Sequence, residues 1–94
     1  MLDKSALISA LRARVKKLPI GHAIDLRTYK RDRSLVIVKL EAEKFLIVED
    51  GFEKNEYRVE MGGLWKMLKT LLQREFPRSN KVRLYQLAEY RSTR

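Results

Sequence analysis

"SLVIVKLEAEKFLIVED", residues 34–50, holds two apolar runs, Leu35–Val38 and Phe45–Val48, joined by a short charged link. Successive side chains on a strand point to opposite faces, so a run without polar interruption is apolar on both. Strands of that kind lie inside a sheet rather than at its edge. The brevity of the "EAEK" link (41–44) predicts that residues 35–40 and 45–48 pair as a hairpin. A β-hairpin with two greasy faces is therefore the expected centre of the fold.

Upstream, Ile24 and Leu26 alternate with Asp25 and Arg27, the pattern of a strand with one buried face, and "KRDRS" (30–34) forms the following turn. Downstream, Asp50-Gly51 opens a turn into "EYRVEM" (56–61). There Tyr57, Val59 and Met61 oppose Glu56, Arg58 and Glu60, and Gly62-Gly63 marks a break. Two helices flank this β unit. Leu7, Leu11, Val15 and Leu18 recur at one helical face over Ser5–Lys17, with Asp3 or Ser5 as cap and Pro19 and Gly21 as terminators. Leu64, Leu68, Leu71, Leu72 and Phe76 mark a second helix over Leu64–Phe76, stopped by Pro77, with Trp65 at the edge of its apolar stripe. "KVRLYQL" (81–87) is a last strand, with Val82 and Leu84 on the side opposite Lys81, Arg83 and Tyr85. The order is α-β-β-β-β-α-β. It predicts one α+β domain over residues 1–94, an antiparallel meander of four to five strands with two helices. Either one helix covers each face of the sheet, or both share a face and a second subunit closes the other.

A strand entering a helix that opens near a tryptophan, "EYRVEMGGLWKMLKTLL" (56–72), resembles the single-strand-binding domains of the positive-coactivator family over about half the chain. That resemblance implies dimerisation through the second helix. The chain lacks the family's long glycine-bearing hairpin and adds an N-terminal helix and a C-terminal strand, so no residue is carried over.

Composition narrows the chemistry. The 94 residues include no cysteine, which removes disulfides, thiolate metal sites and cysteine nucleophiles. No apolar run nears the ~18 residues that span a bilayer, and the N-terminus carries Asp3 before its cations, unlike a signal peptide. A cytoplasmic protein with no membrane partner is expected. The one histidine, His22, sits in a loop between Gly21 and Ala23. Glu41 and Glu43 share a face and suit a divalent cation only weakly, as a solvated hairpin end does not need one. Gly62-Gly63 lacks the Lys-Ser/Thr of a phosphate loop. No catalytic residue, metal site or cofactor is expected, and the chain is not read as an enzyme.

Charge is the positive signal. Lys plus Arg number 21 against 12 acids, a net charge of +9, and a field of that sign favours polyanions. Residues 1–33 carry nine cations against three anions, residues 34–63 four against seven, and residues 64–94 eight against two. The excess thus lies in the flanks. Three cationic groups stand out: Arg27, Lys30, Arg31 and Arg33 around Tyr29; Arg74, Arg78, Lys81 and Arg83 beside Tyr85; and Lys66 with Lys69 on the second helix. Lysine and arginine gain affinity for phosphate by releasing condensed counterions. An interleaved tyrosine offers a stacking face for a base. Any one group alone reads more readily as solubilising surface charge. Together they point to a DNA- or RNA-binding domain that reads mainly the phosphate backbone. The alternative is a homodimerisation module or an adaptor for an acidic protein, motivated by the two-faced apolar hairpin.

Overall fold

The computed structural model of the chain describes residues 2–27, 33–51, 53–76 and 81–88. The elements run β1 (Leu2–Asp3), α1 (Lys4–Lys17), β2 (Ala23–Arg27), β3 (Ser34–Glu41), β4 (Lys44–Asp50), β5 (Lys54–Glu60), α2 (Met61–Glu75) and β6 (Lys81–Leu87). This is the expected α+β order, preceded by a two-residue strand. All strands join one antiparallel sheet in the order β1-β6-β2-β3-β4-β5. β2 to β5 form the predicted meander, and β6 returns to lie against β2. The two-faced hairpin β3–β4 sits inside the sheet, as its sequence requires.

Strand parity divides the molecule into two sides. Ile24 and Leu26 of β2, Leu35 and Ile37 of β3, and Phe45 and Ile47 of β4 are fully buried in one core with the apolar stripes of both helices. α1 packs nearest β1 and β6, and α2 lies over β4 and β5. Ala23, Val36, Val38 and Val48 form a second cluster on the opposite face, to which neither helix contributes. Both helices therefore share one face, and the arrangement with one helix per face is not adopted. The reason is width. Six strands about 4.8 Å apart span roughly 24 Å, which takes two helices of about 10–12 Å side by side. The other face carries short β-branched side chains. Val36, Val38 and Val48 are only 4–7% exposed, although neither α1 nor α2 packs on them.

The apolar face of α2 is spent inside this chain. Leu64 and Leu68 are fully buried and Trp65 is half-buried against the same core, so the helix-mediated dimer implied by the coactivator resemblance has no free stripe to use. Among the described residues, no helix is long and apolar enough to cross a membrane.

Two glycines act differently from the sequence expectation. Gly62-Gly63 does not break the chain but lies in the first turn of α2, which begins at Met61. Glu60, the N-cap residue, makes no side-chain cap bond. The helix start is held instead by the Met61 N–H, which donates to the Glu43 carbonyl in the β3–β4 turn at 2.9 Å. Gly21 has φ of 89°, the left-handed conformation that the turn from α1 into β2 demands.

A Cβ at Gly62 or Gly63 would meet nothing within 4 Å. Alanine at either position should raise stability by about 0.5–1 kcal/mol, since helical glycine is costly in backbone entropy; a lower melting temperature for both variants would contradict the helix start. Leu68→Ala should lower stability by ~2–5 kcal/mol in chemical denaturation, as for a core leucine, and an unchanged midpoint would refute the packing of α2.

Candidate nucleic-acid interface

The sheet brings the two arginine-rich flanks to one end. Arg27, the last residue of β2, pairs with Ser34 on one side and with Arg83 on the other. The base of the β2–β3 connection and the start of β6 thus become neighbours, although about 50 residues separate them. Arg27 and Arg83 share the face opposite α1 and α2, because Leu26, Val82 and Leu84 point into the helical core. Like charges directly opposite on a sheet repel. Asp25, two residues away on the same face, offsets part of this: its Oδ2 accepts from Arg27 Nε at 2.8 Å. The Arg27 side chain remains 39% exposed.

Tyr85 stands directly opposite Asp25, and Leu87 opposite Ala23. Asp25, Arg27, Tyr85, Gln86 and Leu87 line a depression of about 360 Å³. Tyr85 is 37% exposed, one of three large apolar side chains among the described residues with more than a third of their surface open. A larger depression of about 510 Å³ lies at the other end of the sheet. Its rim alternates Glu41 and Glu60 with Lys44 and Arg58, so it carries no net field.

The remaining predicted residues fall in several places. Tyr29, Lys30, Arg31 and Arg78 lie outside the described residues. Lys81 is placed by its backbone, opposite Asp3 at the edge of β6. Arg33 turns to the helical side, where its Nη1 donates to the Glu75 carbonyl at 3.0 Å. A guanidinium there complements the negative end of the α2 dipole. Lys66 and Lys69 are exposed on the outer surface of α2, with the Lys66 carbonyl accepting from the Thr70 hydroxyl at 3.2 Å. They lie across the sheet from Arg27 and Arg83.

Arg74, grouped with the second cluster by sequence, is held inside the molecule's own network. Its Nη2 and Nε donate to the two oxygens of Glu49 at 2.7 and 2.9 Å, and its Nη1 lies 3.3 Å from Glu53. Glu49 is fully buried, although its place next to Asp50-Gly51 reads as a turn. Tyr57 Oη and Asn55 Nδ2 also donate to Glu49 Oε1, at 3.0 and 3.3 Å. Burial alone would raise the Glu49 carboxyl. The bonds from Arg74, and then from Glu75, Tyr57 and Asn55, outweigh it and hold the group at about 2. Burial, reinforced by the carboxylate it bonds, pushes the Tyr57 phenol up. Glu75, also buried, accepts from the Glu53 N–H at 3.3 Å. Its carboxylate occupies the space that a Cβ at Gly51 would need.

Three features escaped sequence reading. Asp25 looked like the wet side of an alternating strand, yet it is 5% exposed. Glu49 differs from an ordinary turn acid only through partners 6 to 26 residues away. Arg12 of α1 lies over the Trp65 ring of α2 at 5.3 Å, a cation–π contact between the helices. His22 sits in the turn after α1, where its N–H donates to the Pro19 carbonyl at 3.1 Å. Glu41 pairs with Lys44 at 3.4 Å. Among the described residues no group of three His, Cys, Asp or Glu side chains forms a metal cluster.

No protein-family model matches this chain, and no curated protein or solved structure is significantly similar to it.

The Glu49 carboxyl is depressed in the folded chain from its ordinary 4.5 to about 2. Its stabilising contribution is complete above pH 4.5 and is lost as pH falls towards 2. Thermal melts from pH 6 to pH 2.5 should show a steeper acid loss for the natural chain than for Glu49→Gln, which should already melt lower at pH 6. Parallel curves would mean that Glu49 is not the acid-sensitive group.

Proposed function

We propose that this chain is a non-enzymatic, cytoplasmic nucleic-acid-binding domain that contacts mainly the phosphate backbone. The single observation that carries the reading is the direct pairing of Arg27 with Arg83 on the face opposite α1 and α2. The two cations stand opposite one another at one end of the sheet, and an incoming polyanion lowers the repulsion between like charges there. The chain's net charge of +9 steers such a ligand towards the molecule. Lys30, Arg31, Arg78 and Lys81 extend the same end in sequence, next to Arg27 and Arg83. Tyr85, two residues from Arg83 on the same strand face, supplies an aromatic surface beside them.

The competing reading, a homodimer closed through the face opposite α1 and α2, draws on the apolar cluster there. Its motive is weak, because Ala23, Val36, Val38 and Val48 are already at most 7% exposed. A second copy would remove little further apolar surface from water.

The test is the salt dependence of binding to an oligonucleotide. With about six phosphates engaged, log affinity should fall against log salt with a slope of about −4 to −5. Arg27→Gln with Arg83→Gln should make that slope shallower by about 1.5, at roughly 0.7–0.9 per lost contact. Lys66→Gln with Lys69→Gln, on the far layer, should leave it unchanged. A flat slope for the natural chain, or equal effects of the two double variants, would refute the proposed surface.

A further inference from the structure

β5 closes the sheet with an edge that has no strand beyond it among the described residues. None of its residues is buried; they alternate between exposed and half-buried along Lys54–Glu60. The ladder to β4 decides which backbone groups that edge presents. In an antiparallel pair every second residue exchanges both hydrogen bonds with its partner, and the residues between turn theirs the other way. At one end of this ladder the Gly51 N–H donates to the Glu53 carbonyl at 3.1 Å, and at the other the Met61 N–H donates to the Glu43 carbonyl at 2.9 Å. Both bonds fall in the β4–β5 register, which runs without a shift from Lys44↔Glu60 to Asp50↔Lys54. Asn55, Tyr57 and Val59 therefore spend their N–H and C=O groups on β4, and Lys54, Glu56, Arg58 and Glu60 point theirs outward. The side chains of those same four residues are exposed, alternate in sign and sum to no charge, on a chain of +9. None of the four has an ion pair among the described residues.

We propose that β5 is a self-pairing edge, which joins two copies of this chain antiparallel about a two-fold axis at Tyr57. That axis sets Glu56 against the partner's Arg58 and Lys54 against the partner's Glu60, and symmetry repeats each pair. All of these are outward-facing residues, so every pair is hydrogen-bonded, with about eight bonds between the chains. Every pair also joins opposite charges, which stabilise a sheet when directly opposed. Neighbouring axes lose one condition or the other. An axis at Glu56 opposes Lys54 to Arg58, and an axis at Arg58 opposes Glu56 to Glu60, so like charges meet. Axes at Asn55 or Val59 engage only half of the outward row. Charges on an edge strand ordinarily keep other strands away. A row of one sign repels a second copy too, whereas alternation about Tyr57 attracts it. Directly opposed residues share a face, so the two copies keep their helices on one side of a continuous sheet and their Arg27 and Arg83 pairs on the other. The dimer does not depend on nucleic-acid binding.

The test is sedimentation velocity of the full chain, without nucleic acid, over a wide range of concentration. The natural chain should shift towards twice its mass as concentration rises. Arg58→Glu and Glu56→Arg each set like charges against one another twice in the dimer, and each alone should weaken self-association by about tenfold or more. An equimolar mixture of the two variants restores opposite charges at both places and should associate as the natural chain does. A second readout is independent of charge. Glu56→Cys mixed with Arg58→Cys should form a disulfide between chains on mild oxidation, since opposed Cα atoms lie about 5.5 Å apart and the chain has no other cysteine. Either cysteine variant by itself should link far less. A natural chain that stays monomeric throughout would overturn the proposal and leave the edge to a strand of another protein. A dimer that survives both charge reversals would overturn it as well, as would mixtures that neither associate nor cross-link beyond their components.

Discussion

The alternation of side chains along β2, β3 and β6 is the constraint on which both the fold and the proposed surface depend. The register that sends Ile24, Leu26, Leu35, Ile37 and Val82 under the helices sends Asp25, Arg27, Val36, Arg83 and Tyr85 to the other face. A slip of one residue would bury two arginines under α1 and expose five core side chains. Core formation therefore positions the charged row at no separate cost. The backbone of that row is held between paired strands, β2 lying next to the two-faced β3, so little backbone freedom remains to be lost on binding.

Arginines in this chain divide by the partner they meet. Arg33 and Arg74 are engaged at the C-terminal end of α2, one on a helix carbonyl and the other on the buried Glu49 carboxylate. This end of α2 approaches the turn after β4 so closely that Gly51 has no room for a side chain beside Glu75. A buried acid is tolerated there because Arg74, Tyr57 and Asn55 together satisfy it, where loss of one partner would leave a charge stranded. Arg27 and Arg83 stand opposite each other across a strand pair at the other side of the sheet, with Arg27 bonded to Asp25. Net charge alone cannot separate these two kinds of arginine, and tertiary neighbours can.

What was legible in the sequence follows the range of the interaction that carried it. Hydrophobic periodicity is local, so both helices, the β3–β4 hairpin and β6 were readable, with shifts of one to three residues at their ends. Gly62-Gly63 was misread as a break because the bond that begins α2 comes from Glu43, nearly twenty residues upstream. The position of β6 beside β2 depends on pairing between distant strands and leaves no periodic trace. The face shared by the helices follows from the width of the finished sheet. Among the candidate residues, Arg27, Arg83 and Tyr85 are brought together. Arg33 and Arg74 were recognisable as cations but not as structural ones, since Glu75 and Glu49 lie 42 and 25 residues from them.

An acidic group in the middle of a cationic surface looks counterproductive for binding a polyanion, and the magnitudes show why it need not be. Exposed charges act through water with a screening length of about 8 Å at physiological salt, so one carboxylate subtracts modestly from a field built by many cations. A desolvated acceptor acts over hydrogen-bond distance, where losing its donor costs about 1–3 kcal/mol. The two effects operate at different ranges. In the proposed reading the surface arginines would set how strongly any strand is attracted, with Asp25 orienting the Arg27 guanidinium that meets it.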